Sequence, residues 1–200
     1  MNRFLAIMLC GAFAFAATAA DAQTPMRIRG TITSLEGDTL MVKTREGRDM
    51  KIELDAKTTY AYPKAVKLAD IKPGTPMGTT AVPGPDGKLI AREVHVFAAD
   101  KPVPNEGHRP WDLEANSSMT NAAVSAVAAS GNGRELTLKY KDGTQTVIVP
   151  EGTPVVTAVD GDRSLIKAGE YAYIQAGMNN DGKVIAQRVQ VSKDGVKPPQ

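Results

Sequence analysis

Apolar and polar residues alternate over short stretches of this chain. Ile28, Gly30 and Ile32 alternate with Arg29, Thr31 and Thr33, the period of two that marks a half-buried strand. Gly37-Asp38 turns the chain, and Leu40 and Val42 begin a second strand. Glu46-Gly47 is a hairpin-type turn, after which Ile52 and Leu54 alternate with Lys51, Glu53 and Asp55 in a third. A fourth, short extended piece covers 58–61 and stops at Pro63, and 64–70 allows a single helical turn. Ile71-Lys72-Pro73-Gly74 is a tight turn before a fifth strand near 75–82, and Pro85-Asp86-Gly87 leads into a sixth over 88–97.

The pattern is written twice. Asp86-Gly87-Lys88-Leu89-Ile90-Ala91-Arg92-Glu93-Val94-His95-Val96 aligns with Asp181-Gly182-Lys183-Val184-Ile185-Ala186-Gln187-Arg188-Val189-Gln190-Val191 at an offset of 95 residues. The same offset sets Ile71-Lys72-Pro73-Gly74 over Ile166-Lys167-Ala168-Gly169, and an offset of 96 sets Leu40-Met41-Val42-Lys43 over Leu136-Thr137-Leu138-Lys139. Within the last strand of each copy the apolar phase slips by one residue, at Arg92-Glu93 and between Ala186 and Val189. A β-bulge at each place accounts for the slip, and bulges of this kind help small sheets close. Six short strands in one copy are too few for a sandwich with two good cores. The expected fold is therefore all-β: two tandem, small, OB-like antiparallel β-barrels. Leu40, Val42, Ile52 and Val94 would point into the first barrel, and Leu136, Leu138, Val147 and Val189 into the second.

The N-terminus changes the picture of where the chain works. Arg3 precedes an uncharged apolar run from Phe4 to Ala17, too short to span a bilayer, and Ala20-Asp21-Ala22 offers small residues for cleavage before Gln23. Residues 1–22 thus read as a signal peptide, and the mature chain as periplasmic or secreted. Cys10, the one cysteine, lies inside that signal, so the mature chain has no thiol or disulfide chemistry. The organisation expected is 23–97 as the first repeat, 98–121 as a linker, 122–192 as the second repeat and 193–200 as a disordered tail. A net charge of +2 is too small to advertise a polyanion, and nucleic acid is not an expected partner. No membrane span is expected after residue 22.

The strand Arg29-Gly30-Thr31-Ile32, the segment Leu40-Met41-Val42, the Ile71-Lys72-Pro73-Gly74 turn and the closing Asp86-Gly87-Lys88-Leu89-Ile90-Ala91-Arg92-Glu93-Val94 strand resemble the small secreted bacterial β-barrel known as domain of unknown function 5666. Both copies carry the resemblance, although Ala168 replaces the turn proline and Gln187-Arg188 replaces Arg92-Glu93. The segment Glu106-Gly107-His108-Arg109-Pro110-Trp111-Asp112-Leu113 is similar to one in tandem members of that family, some of which carry the label metal ABC transporter permease. The resemblance implies no catalytic residues.

Candidate chemistry is sparse. His108, with Glu106 and Asp112 close in sequence, is the one candidate metal set, though no H-x-x-x-H or H-E-x-x-H spacing supports it. His95 occupies the position of Gln190 in the other copy and reads as a solvent-facing strand residue. Trp111, the only tryptophan, follows Pro110 in the stiff linker and is expected to dock between the two barrels. The methionines after residue 22 are scattered and read as packing. Tyr60, Tyr62, Tyr140, Tyr171 and Tyr173 read as strand residues rather than a ligand platform. No nucleophile elbow, phosphate loop or paired catalytic carboxylates can be picked out.

The leading reading is a non-enzymatic periplasmic or secreted binding or scaffolding protein with no cofactor, its partner an envelope protein or polysaccharide. The alternative is a periplasmic metal-binding accessory protein of a metal transport system. A third reading is an enzyme acting on envelope glycans.

Overall fold

A computed structural model describes residues 24–200. The signal peptide expected over 1–22 lies outside the described residues. The chain is all-β, as the alternation requires. In order, the strands are β1 (Thr24–Glu36), β2 (Thr39–Thr44), β3 (Asp49–Glu53), β4 (Thr59–Ala65), β5 (Pro76–Pro83) and β6 (Leu89–Val96). They continue as β7 (Gly107–Pro110), β8 (Ser118–Ala129), β9 (Gly133–Tyr140), β10 (Gly143–Pro150), β11 (Val155–Gly161), β12 (Tyr171–Met178) and β13 (Val184–Val191). The helical turn expected before the fifth strand is a single 3-10 turn, Leu68–Asp70. No described helix is long and apolar enough to cross a membrane.

Two closed rings of five strands emerge from the pairing. One ring runs β1-β2-β3-β13-β12 and back to β1; the other runs β8-β9-β10-β6-β5 and back to β8. Each is antiparallel except at one closure, where β3 meets β13 and β10 meets β6 in parallel, so the purely antiparallel expectation is corrected. The bulges expected in the last strands are present. Thr80 pairs with Glu93 and Ala81 with Ala91, which leaves Arg92 as the extra residue; Gln175 and Ala176 pair with Arg188 and Ala186, which leaves Gln187. Two further bulges, in β1 at Thr33 and in β8 at Ser125, bend the long first strand of each copy.

The rings do not follow the copies. Each takes three strands from one copy and two from the other, so the expected division into a 23–97 barrel and a 122–192 barrel is corrected. The cores record the exchange. Leu40, Val42 and Ile52 of the first copy pack with Val189 of the second, while Leu136, Leu138 and Val147 of the second pack with Val94 of the first. All eight are buried, on the face that the alternation assigned. The physical reason lies in β4. It does not stop at Pro63 but continues to Ala65, paired with β11 from Tyr60 to Ala65. A straight strand of that length carries the chain about 20 Å away from β3, so β5 and β6 join the other ring. β11 does the same in return. Beyond Ala61 no pairing links β4 to β13, and on such an edge a strand tolerates proline.

The crossing strands join the rings through backbone ladders. β6 pairs in parallel with β11, β11 antiparallel with β4, and β4 in parallel with β13. The segment 98–121 is not a strandless linker. Gly107–Pro110 forms β7 against β8, and β8 begins at Ser118 rather than at 122. The tail is not disordered either. Lys193 and Val196 bridge in a turn, and Pro198 and Pro199 are buried.

Candidate functional site

The outer faces of the two rings meet across a cavity of about 400 Å³. Its walls follow from the repeat. Gly78 and Thr80 on β5 with Glu93 and His95 on β6 form one wall; Tyr173 and Gln175 on β12 with Arg188 and Gln190 on β13 form the other. Each residue of the first wall stands 95 positions before its counterpart in the second. The bulges matter here. With Arg92 and Gln187 as extra residues, Val94 and Val189 turn into the cores, and their neighbours turn outward into the cavity. Symmetric positions thus carry unlike chemistry: a carboxyl in the first copy stands where the second has a guanidinium, an imidazole where it has an amide, and a glycine where it has a tyrosine.

Gly78 makes room for this arrangement. A Cβ there would lie 2.5 Å from Oδ1 of Asn121 and 3.0 Å from the ring of Phe97. Asn121 donates its amide N–H to the carbonyl of Pro104 at 2.7 Å, while its Oδ1 is buried without a partner. Oε1 of Gln190 is likewise buried and unpartnered. The side chains are only 5% and 4% exposed, and both line the cavity. A buried carbonyl oxygen left unpaired costs on the order of 1–3 kcal/mol, and native structures keep such groups few.

Burial also moves the titratable groups. Glu93 is pushed up to about 7, first by loss of solvent, against the opposing hydrogen bonds from the Gln200 main chain and the Thr80 hydroxyl and the charge of Arg29. Those bonds are 2.7 Å and 3.0 Å long, both to Oε1. His95 is pushed down to about 4, by burial first and then by the charge of Arg188. It is half-buried, lining the cavity with its ring 4.8 Å from that of Phe97, so the reading of His95 as solvent-facing is corrected. That reading failed because the ring exchange turns an outward face towards a second ring. Burial raises Tyr173 as well, against the charges of Arg29 and Arg27.

Trp111 lies at the mouth of the cavity, half-buried, with the Arg27 guanidinium 4.1 Å above its ring and that of Arg109 at 5.4 Å. Arg27 belongs to the ring containing β1, whereas the Trp111 segment is tied to β8, so the indole touches both sides. Its Nε1 donates to the main-chain oxygen of Gln200 at 2.8 Å. Pro110 ends β7, paired with Ser118. Asp112 accepts from the buried guanidinium of Arg29 at 2.8 Å and 3.3 Å. Burial raises the Asp112 carboxyl, but Arg29 and Arg27 outweigh it and the net shift is downward.

The three metal candidates are not brought together. Nδ1 of His108 lies 2.8 Å from the Thr120 hydroxyl, Glu106 accepts from the Lys141 main chain at 2.9 Å, and Asp112 serves Arg29. Among the described residues, no group of three or more His, Cys, Asp or Glu side chains is placed to hold a metal ion. The close sequence spacing misled because only His108 lies on β7; Glu106 precedes that strand and Asp112 follows it, and each is taken up by a partner on a different element.

Sequence reasoning missed Asn121, Gln190, Glu93 and Gln200 as site residues. The signal that finds the strand positions is the repeat itself: outward positions on the closing strands where two otherwise similar copies differ in charge. Comparison with protein-family models, with curated proteins and with solved structures yields no match.

Proposed function

We propose that this is an exported, non-enzymatic binding or scaffolding protein whose partner, of envelope origin, seats in the cavity between the rings. The observation that carries the reading is the pair of buried, unpartnered amide oxygens, Asn121 Oδ1 and Gln190 Oε1, on opposite sides of that cavity. They are acceptors awaiting a donor. Glu93 favours binding over catalysis, because its Oε1 is committed to Thr80 and Gln200. Export rests on the charged, apolar and small-residue order of 1–22.

Each ring is OB-like in this reading. The order β1-β2-β3-β13-β12, with a parallel contact between its third strand and the closing strand, supports that assignment, as does the same order in the other ring. A barrel built from one copy is then replaced by two barrels that exchange strands between the copies.

The test is site-specific photocrosslinking in cells that export the protein. A photoreactive residue at position 95, inside the cavity, should give one discrete adduct. The same residue at position 49, on the exposed side of β3, should not. Equal labelling from both positions, or none from position 95, contradicts the cavity as the binding seat.

A further inference from the structure

The tail that follows β13 turns at Lys193–Val196 and runs back between the rings. Lys193 sets its ammonium 4.0 Å above the ring of Tyr62, and Lys197 sets its own 5.2 Å above that of Tyr171. Pro198 and Pro199 are buried. Gln200 is then held on three sides. Its main-chain N–H donates to Glu93 at 2.7 Å, its main-chain oxygen accepts from Trp111 at 2.8 Å, and its side-chain Oε1 accepts from the Tyr171 hydroxyl at 2.9 Å.

Two of these contacts grip main-chain atoms, one N–H and one oxygen. The third reads a side-chain amide. The prolines preceding it have a fixed φ, so an extended segment of this kind loses little freedom when it docks. Aromatic side chains beside buried prolines are the usual means of holding such a segment. The cavity does not end at Gln200. It continues to Asn121 and Gln190, whose free oxygens suit the N–H donors of residues further along an extended chain.

We propose that the cavity takes an extended proline-bearing peptide from a partner protein, and that residues 197–200 of this chain hold part of that seat in its place. The proposal rests on the reading of the cavity as a ligand seat and adds the class of ligand and an internal competitor. While the tail is seated, the partner peptide binds only to the fraction of molecules in which it has swung out, and its apparent affinity falls by that fraction.

The experiment uses the full chain with Pro198→Asp and Pro199→Asp, which disengage the tail and leave β13 intact. The probe is an amidated peptide, Val-Lys-Pro-Pro-Gln-Ala-Ala, with a version carrying alanine at both prolines and a tetramer of N-acetylglucosamine as comparisons. Trp111 fluorescence reports. The variant should bind the proline peptide at least about tenfold more tightly than the unmodified chain does, and the alanine version more weakly. If the sugar tetramer binds and the peptide does not, the cavity remains a seat and the peptide proposal alone is overturned. If neither binds the variant, the proposal is overturned as well. Should the variant fail to fold, the unmodified chain gives a second reading. The peptide with a photoreactive group after its Gln should mark β6 or β13, and marking elsewhere, or none, overturns the proposal.

Discussion

Pro63 pairs with Ala158, its own counterpart in the second copy of the repeat. The antiparallel ladder between β4 and β11 is therefore symmetric about that one pair. The parallel ladders beside it obey the same relation: Val189 pairs with Tyr60, and their counterparts Val94 and Val155 pair with each other. The local two-fold of the molecule passes through Pro63 and Ala158, and the cavity lies between the strands it relates.

Val94 and Val189 are fully buried in opposite rings. Truncation of either to alanine removes apolar burial and leaves a cavity, at a cost of about 1–3 kcal/mol. Urea unfolding should show losses of similar size for the two variants. An unchanged midpoint for either would mean that its side chain does not face a core.

Those two residues also show how far the sequence is legible. Alternation told which face of each strand is buried, and the phase slip at Arg92 and Gln187 told where the closing strands bend. Neither signal carries the identity of the ring, because Val94 turns inward in the same way whichever three strands it joins. The exchange is decided by the continuation of β4 past Pro63, a residue that reads locally as a strand end. The site was hidden for the same reason. Glu93 and His95 look solvated on an isolated barrel; Glu93 becomes buried and His95 half-buried only because a second ring faces them.

Gly30 sits where β1 passes from β12 to β2. A Cβ there would overlap the carbonyl oxygen of Lys43 and come within 2.8 Å of the Thr44 Cα, both backbone atoms that cannot swing aside. Gly30→Ala should cost about 1–3 kcal/mol through forced separation of β1 and β2. Thermal unfolding is the check, and a melting temperature equal to that of the unsubstituted chain would refute the close approach.

Glu93 and His95 give opposite pH dependences. Glu93 has a folded pKa of about 7 against an ordinary 4.5, so folding favours its protonated form. Its contribution is fullest below 4.5 and declines as pH rises towards 7. His95 has a folded pKa of about 4 against an ordinary 6.5, so folding favours its neutral form, and its contribution is lost as pH falls from 6.5 towards 4. The two slopes oppose each other between 4.5 and 6.5. Relative to the unsubstituted chain, Glu93→Gln should gain stability as pH rises through this window, by on the order of 3 kcal/mol at most. His95→Gln, which copies the residue of the other repeat, should gain as pH falls. Urea titrations at several pH values separate them; parallel curves would contradict the burial assigned to both groups.

Arg29 is 4% exposed and its guanidinium meets Asp112 from beyond β7. Asp112→Asn removes the balancing charge and one strong acceptor. Trp111, the preceding residue and the only tryptophan in the chain, is expected to become more accessible to quenchers. Iodide and acrylamide quenching of its emission read this directly, and unchanged quenching would show that the Arg29 contact does not hold the segment in place.

The exchange of strands between the two copies is tested most directly by cutting the chain once, between Asp100 and Lys101, at an engineered protease site. Each ring draws three strands from one side of that cut and two from the other. The account predicts that the cut halves stay together as a one-to-one complex on size exclusion and unfold in a single transition. Separated in urea and returned to buffer, neither half should regain the native spectrum until it is mixed with the other. Two halves that each refold alone as monomers, with their own cooperative unfolding, would contradict the exchange.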